Sequence, residues 1–336
     1  MPNLSTLLTE TSNPRTTHID RLSTLDMLTL INQEDATVAA AVAAELPAIA
    51  RAVDAIATRF ALGGRLFYIG AGTSGRRGVL DASECPPTFS VPPTLIQGLI
   101  AGGDAALRRS SEHSEDSPSE AARDLTAAAF GAAPVSDLTT AVFGRASASD
   151  GPSFPASPER MGSPATESPA TPDTLVAIAA SGRTPYVLGA LDHAHSLGAL
   201  TIGLSCVPNS PVAQQSDIAI TPATGPEVIT GSTRMKAGTA TKLVLNMLST
   251  GVMIRTGAVY GNLMVNVQPS NAKLLDRAIR IVAAATGADQ PAAARLLAEA
   301  GSVKLAIAMH RLSLPRPAAE ARLAAAAGSL AAALRG

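Results

Sequence analysis

Cysteine is scarce in this sequence, with only Cys85 and Cys206 among 336 residues. The two lie far apart and lack the CxxC spacing of zinc and redox sites. Isolated cysteines of this kind are typical of reduced thiols in a cytoplasmic protein, because oxidising compartments favour paired cysteines. We therefore predict neither a disulfide nor a zinc site, and a cytoplasmic location.

The sequence also lacks an excess of charge of either sign. Its 26 Lys and Arg residues nearly balance 27 Asp and Glu residues, which leaves a net charge of -1. Proteins that bind nucleic acids or anionic membranes carry basic patches that neutralise phosphates. We therefore expect no nucleic-acid or membrane partner, and a small solute is the better candidate for the ligand.

Long apolar runs and histidine clusters are missing as well. No stretch of 18 uncharged apolar residues occurs, and residues 1–15 do not resemble an export signal. His193 and His195 lie two apart on a predicted helix and therefore face different sides, which does not suit a shared metal ion. We predict no membrane span, no metal and no other cofactor.

What is present is a hydrophobic content of 46%, sufficient for a large core, in which apolar runs alternate with helical segments. Predicted strands cover residues 65–69, 95–101, 174–180, 200–205 and 217–221, and predicted helices cover 37–60, 76–85, 186–197 and 233–255, with a break at Pro86 and Pro87. This alternation predicts an α/β fold with a doubly wound parallel sheet, whose ligands bind at the carboxyl ends of the strands.

The domain organisation follows from shifts in composition. We predict an N-terminal helical arm over residues 1–50, a central α/β domain over 51–270, and a small helical C-terminal domain over 271–336 whose helices break at Gly287, Gly301 and Pro315. Residues 146–172 are crowded with Ser, Pro, Ala and Gly, and we interpret them as a disordered surface insertion.

Two glycine- and hydroxyl-rich loops follow predicted strands. The first, GAGTSG at 70–75, satisfies GxGxxG, but the strand that follows has no acidic end for a ribose, so nicotinamide binding is the weaker interpretation. Backbone N-H groups, hydroxyls and a helix dipole suit a phosphate monoester, and the same chemistry recurs in SGRT at 181–184. Tight turns and helix caps remain the structural alternative for either loop alone.

A third polar segment, GSTRMKAGT at 231–239, brings Arg234 and Lys236 to the start of a predicted helix. Cations there oppose the helix dipole, so we expect an anion nearby, with plain solvation as the alternative. The predicted substrate-binding residues of the three segments are Gly72, Thr73, Ser74, Ser181, Gly182, Arg183, Thr184, Ser232 and Lys236.

Two carboxylates are candidates for acid-base chemistry. Glu84 is predicted at the C-terminus of the helix that follows the first loop, where the dipole opposes its charge and raises its pKa. Glu115 has acidic neighbours in Glu112 and Asp116, whose repulsion acts in the same direction. The alternative for both is a solvated acidic surface.

Four longer stretches carry a family resemblance: LFYIGAGTSG at 66–75, LDASECPPTF at 80–89, IAASGRTPY at 178–186 and TGSTRMKAGT at 230–239. They resemble the N-acetylmuramic acid 6-phosphate etherase family, from about residue 13 to the C-terminus without the 146–172 segment. Several matches in the same order are more specific than one short motif. The resemblance implies the sugar isomerase (SIS) fold, a homodimer, a phosphosugar substrate and a metal-free reaction in bacterial cell-wall recycling.

The implied reaction removes D-lactate from C3 of the sugar. In the ring-opened sugar a base removes the C2 proton, lactate leaves C3 with help from an acid, and water adds to the resulting double bond. Carried over by position, Glu84 is the acid for lactate departure and activates the water, and Glu115 is the C2 base. His113 stands near Glu115 where the family usually has a small residue, and is a candidate to tune that carboxylate.

Two other functions stay open. The glucokinase regulatory protein, with two SIS domains, resembles this family and senses phosphosugars without converting them. Such a sensor could bind through Ser74 and Ser181 and dispense with Glu84. An aldose-ketose isomerase also removes a C2 proton but has no use for a lactate-sized pocket.

Overall fold

The structure, a computed structural model, describes residues 8–109, 113–132, 171–269 and 271–335. The predicted insertion at 146–172 lies outside these ranges except for its last two residues. The strands are β1 (Leu66–Gly70), β2 (Ile96–Ile100), β3 (Thr174–Ile178), β4 (Leu200–Leu204) and β5 (Ile218–Ile220). The helices before the segment 133–170 are α1 (Thr24–Asp35), α2 (Val38–Ala43), α3 (Leu46–Ala61), α4 (Gly72–Phe89), α5 (Gly103–Arg108) and α6 (Pro118–Ala127). Those after it are α7 (Pro185–Ser196), α8 (Pro211–Gln215), α9 (Lys236–Arg255), α10 (Ala272–Thr286), α11 (Gln290–Ala300), α12 (Val303–Leu312), α13 (Arg316–Ala325) and α14 (Leu330–Arg335).

The five strands form one parallel sheet in the order β2-β1-β3-β4-β5. From β1 the chain winds first to β2 on one side and later to β3 on the other, which makes the β1–β3 boundary the topological switch point. Gly70 at the end of β1 pairs with Ile178 at the end of β3, so the loops after both strands leave the same edge side by side. The predicted doubly wound sheet, with both loops on one edge, is confirmed.

Helices cover both faces of the sheet. Leu66 and Tyr68 of β1 point into an apolar cluster shared with α2, α3, α4 and α9, whereas Phe67 and Ile69 point into a second cluster with α6, α7 and α8. All four side chains are fully buried. The strands are thus hydrophobic on both sides, as parallel strands between two helical layers must be.

Two predicted helices differ from the observed ones near prolines. The helix predicted over residues 37–60 is two helices, and Pro47 lies in the first turn of α3, where its missing N-H costs nothing. In contrast, α4 starts at Gly72 and runs through Pro86 and Pro87 to Phe89, so the predicted break is wrong. Burial of Cys85 and Phe89 in the core offsets the lost backbone hydrogen bonds of the prolines.

The C-terminal helices α10 to α14 surround an apolar cluster of their own. Gly287 and Gly301 adopt left-handed conformations that end α10 and α11, and Pro315 caps the start of α13. The three predicted helix breaks are therefore confirmed. The cluster also includes Val265 and Val267, which precede the boundary predicted at residue 271.

Among the described helices, no single one is long and apolar enough to cross a membrane. One bent pair of segments is long and apolar enough when its halves are taken together, by length and composition only. It consists of Thr24–Ala43 and Leu46–Ala61, with 58° between the halves. Much of the second half faces the core, since Ile49, Val53 and Ile56 are buried against the sheet.

Both cysteines are free and buried. Burial raises the pKa of each thiol to about 12, for Cys85 with a contribution from Asp81. Thiols held in this state are poor nucleophiles, because the thiolate is the reactive form.

Candidate active site

The first loop places the start of α4 at the topological switch point between β1 and β3. Ala71, in extended conformation, is the N-cap of the helix and has no side chain with which to cap it, and Gly72 follows with a φ of 51°. The first N-H groups of a helix have no intrahelical acceptor, so those of Gly72, Thr73 and Ser74 are available to an anion. This end of α4 therefore offers three free N-H donors, as anion-binding helix termini do.

Gly75 brings the helix close to the sheet. A Cβ at this position would lie 2.6 Å from both Gly70 O and Ile100 Cγ1. Because real Cβ atoms do not approach other atoms so closely, the first turn of α4 can rest against the ends of β1 and β2 only with glycine here.

The second loop follows β3 and is fixed by its own backbone. Gly182, with a φ of 68°, donates from its N-H to Ala179 O at 2.9 Å and accepts at its carbonyl from Val212 N at 3.0 Å. Thr184 is the N-cap of α7, but its hydroxyl makes no capping hydrogen bond. Arg183 Nε is buried and has no hydrogen-bond partner among the described residues, so both side chains can still accept or donate to a ligand.

The third segment meets the first loop. A Cβ on Gly238 in α9 would lie 3.4 Å from Thr73 Cγ2, which places the first turn of α9 beside the start of α4. The N-terminus of α9 is already occupied, because the Glu227 carboxylate accepts from Lys236 N at 2.9 Å and from Ala237 N at 3.0 Å. Burial raises the pKa of Glu227, against the lowering effect of these two N-H groups.

Lys236 is only 2% exposed, and its Nζ lies 2.8 Å from Glu34 Oε2, at the end of α1. Arg15 Nη2 lies 2.6 Å from the other oxygen of the same fully buried carboxylate. Burial raises the pKa of Glu34, but Lys236, Asn13 and Arg15 together outweigh it and hold the pKa below the usual value. The anion predicted near Lys236 is thus at least in part the protein's own Glu34, and contact of Lys236 with a substrate remains a prediction.

The two candidate carboxylates lie on separate elements, both exposed. Glu84 is on α4, five residues before its end rather than at its C-terminus, so the argument from the helix terminus does not apply. Glu115 is in a 3-10 turn, His113–Asp116, that packs against α7. The helix that begins at the first loop therefore carries Glu84, and the helix that begins at the second loop packs against the turn that carries Glu115.

Within the described ranges, no group of three or more His, Cys, Asp or Glu side chains is placed to hold a metal ion. The candidate site residues themselves supply carboxylates, hydroxyls, backbone N-H groups and the Arg183 guanidinium.

Relatives identify the protein family. The N-acetylmuramic acid 6-phosphate etherase of Aeromonas hydrophila is 50% identical over 322 residues, which are 96% of this chain and 95% of the relative. That of Pectobacterium atrosepticum is 48% identical over 322 residues, 96% of this chain and 93% of the relative. This chain belongs to the N-acetylmuramic acid 6-phosphate etherase family.

Domain profiles agree with the etherase fold. The profile of the glucokinase regulatory protein N-terminal SIS domain matches residues 48–148, and that of the SIS domain matches residues 166–251. A solved structure of a putative phosphosugar isomerase involved in capsule formation from Bacteroides fragilis has a TM-score of 0.43 and 20% identity, over 70% of this chain and 92% of that one. The assignment of the SIS fold rests on the two profiles and the parallel sheet, and not on this superposition.

One polar network in this etherase was missed by the sequence analysis. The buried Asp81 carboxylate accepts from Tyr68 Oη at 3.0 Å, from Asn246 Nδ2 at 2.6 Å and from Ser249 Oγ at 3.2 Å. Burial is the main cause that raises the pKa of Tyr68 well above its usual value, and the charge of Asp81 is the second cause. The network joins α4 to β1 and α9 three residues before Glu84. The feature of the sequence that indicates this network is an aspartate on the buried face of α4, together with Gly78, Ala82 and Cys85.

Proposed function

We propose that this chain cleaves the lactyl ether of N-acetylmuramic acid 6-phosphate, with one water consumed, to N-acetylglucosamine 6-phosphate and D-lactate. The observation that carries the proposal is the identity of about half the residues with etherases over nearly the full length. The adjacent loops at the switch point support it, because they offer a phosphate site at the position where α/β sheets bind ligands.

The phosphate is assigned to the two loops. Gly72, Thr73 and Ser74 offer the N-H groups of the first turn of α4 together with two hydroxyls. The second loop supplies Ser181, Gly182, Arg183 and Thr184, and the unpartnered Arg183 Nε suits a charged oxygen. Ser232 and Lys236 are assigned to the substrate site as well, because α9 lies beside Thr73 at Gly238.

The chemistry is assigned to Glu84 and Glu115. In the ring-opened sugar Glu115 takes the C2 proton, and the electrons form the C2–C3 double bond as the C3–O bond to lactate breaks. Glu84 protonates the departing lactate oxygen and then deprotonates a water that adds to C3, while C2 regains a proton. All atoms balance with two carboxyl groups and one water, so no metal or redox cofactor is needed.

We further assign this enzyme to the cytoplasm as a homodimer in cell-wall amino sugar recycling. Support for the dimer comes from exposed apolar side chains on two helices that pack together: Leu80 on α4 is 51% exposed, and Met247 and Ile254 on α9 are 37% and 52% exposed. A second copy would cover these side chains. The two buried free thiols support a reducing compartment.

The test is release of D-lactate from N-acetylmuramic acid 6-phosphate by the purified chain, measured with a coupled D-lactate dehydrogenase assay. We expect stoichiometric release, and in H2-18O we expect label at C3 of the amino sugar and none in the lactate. Tight binding without release would favour a phosphosugar sensor. Interconversion of hexose phosphates without release would favour an isomerase.

Replacing Gly182 by alanine should weaken phosphosugar binding about tenfold or more, because a Cβ there would overlap Ser210 Oγ and displace the second loop. Gly103→Ala is the matched control, since Gly103 has a φ of 64° but no atom within 4 Å of its Cβ position. Calorimetric titration with N-acetylglucosamine 6-phosphate measures both. Equal affinities of the two variants would contradict the assignment of the second loop.

A further inference from the structure

A cavity of about 700 Å³ lies between the N-terminal arm and the loop that follows β5. Its size is within the range of small-molecule sites, and several apolar side chains with a few polar groups form its walls. The lining residues that matter to the argument are Pro14, Arg15, Glu34, Ala223, Thr224 and Lys236.

Among the side chains that line the cavity, Arg15 and Lys236 are cations and Glu34 is a carboxylate. Two cations, Arg15 and Lys236, share the single carboxylate of Glu34. The Arg15 side chain is 59% exposed and meets that carboxylate through Nη2. A Cβ on Gly225 would lie 3.9 Å from Lys236 Nζ, so the glycine leaves space beside the ammonium group. Glu227, the nearby second carboxylate, is held by backbone N-H groups of α9. Asp35 is a further acidic neighbour of Glu227, so the exposed guanidinium of Arg15 is the group that would attract a small carboxylate.

Elements that line the cavity also contact residues of, or next to, both loops of the proposed active site. Lys236 begins α9, whose Gly238 lies beside Thr73 of the first loop. Thr224 contacts Cys206, and the Cys206 N-H donates to Ala180 O, next to Ser181 of the second loop. The cavity is thus connected to both loops through α9 and through the Thr224–Cys206 contact.

We propose that the cavity receives the lactyl group of the substrate, with its carboxylate facing Arg15 and Lys236. The inference rests on the proposed function, since only that substrate carries a lactyl group. The apolar walls formed by Pro14 and Ala223 suit the lactyl methyl group. The N-terminal arm thereby becomes part of the specificity for the muramic over the glucosamine sugar.

The test compares two phosphosugars that differ only in the lactyl group. Arg15→Gln should raise the KM for N-acetylmuramic acid 6-phosphate about tenfold or more, while the Kd for N-acetylglucosamine 6-phosphate stays unchanged. Arg15→Lys should recover part of the loss. Arg21→Gln, an exposed arginine of the same arm, is the control and should behave as the unmodified chain.

Calorimetric titration of both sugars is made in a Glu84→Gln background, which should bind the lactyl sugar without cleaving it, so that the test is independent of turnover. Preference of this chain for the lactyl sugar, lost when Arg15→Gln is added, supports the proposal. Equal effects on both sugars, or no effect of Arg15→Gln on either, would overturn it. Failure of the proposed function has a different signature, because the unmodified chain would then release no D-lactate at all.

Discussion

Replacing Glu84 by glutamine should slow D-lactate release by about 100- to 10,000-fold, the contribution of a positioned general acid or base. Glutamine keeps the size of the side chain and can still donate a hydrogen bond, but it cannot deliver a proton to the leaving oxygen or take one from water. Since the phosphate is assigned to loops that exclude Glu84, affinity for N-acetylglucosamine 6-phosphate should stay close to that of the unmodified chain. The coupled lactate assay and calorimetry measure the two quantities.

Glu299→Gln is the matched control, because Glu299 is an exposed glutamate on α11, outside the α/β layers. It should leave turnover unchanged. Comparable rates for the Glu84 and Glu299 variants would rule out Glu84 as the acid.

The division of roles can be read from hydrogen exchange at C2. In D2O, a Glu84→Gln variant should still exchange the C2 proton of N-acetylglucosamine 6-phosphate, because Glu115 remains to remove it. Glu115→Gln should lose this exchange. The reverse pattern would assign the C2 base to Glu84.

The parts of the fold that were predictable from sequence are those set by local patterns. Apolar runs ending in GAGTSG and SGRT predicted two strands, and parallel strands place their following loops on one edge, which the pairing of Gly70 with Ile178 confirms. Gly287 and Gly301 likewise marked helix ends, because glycine adopts the left-handed conformation without strain.

What escaped prediction depends on residues distant in the chain. The Glu34–Lys236 pair joins residues 202 positions apart, and Asp81 meets Asn246 across 165 positions, so neither is visible in a local pattern. The continuation of α4 through Pro86 and Pro87 is a tertiary effect as well, because burial of Phe89 rather than helix propensity holds its last turn. The proposed catalytic helix is therefore positioned by contacts that only the folded structure brings together.

Replacing Lys236 by methionine should destabilise the protein by about 3 to 5 kcal/mol, because it removes one partner of a buried ion pair. Glu34, fully buried, would keep Arg15 alone as its counterion, and Arg15 is largely exposed. At roughly 2 to 4 °C per kcal/mol, the Tm measured by calorimetry should fall by several degrees to more than ten. Arg280→Met removes an exposed pair with Asp276 and should change stability by about 1 kcal/mol or less.

A double variant separates a structural role of Lys236 from a role in ligand binding. If the loss of stability comes from an uncompensated Glu34 carboxylate, then Glu34→Gln added to Lys236→Met should restore part of the Tm, because the buried charge is gone. If Lys236 acts only on the substrate, Lys236→Met should keep the Tm of the unmodified chain and raise the KM, and the second substitution should recover nothing. Restoration of Tm together with a persistently high KM would show that one buried lysine both holds the N-terminal arm and faces the substrate.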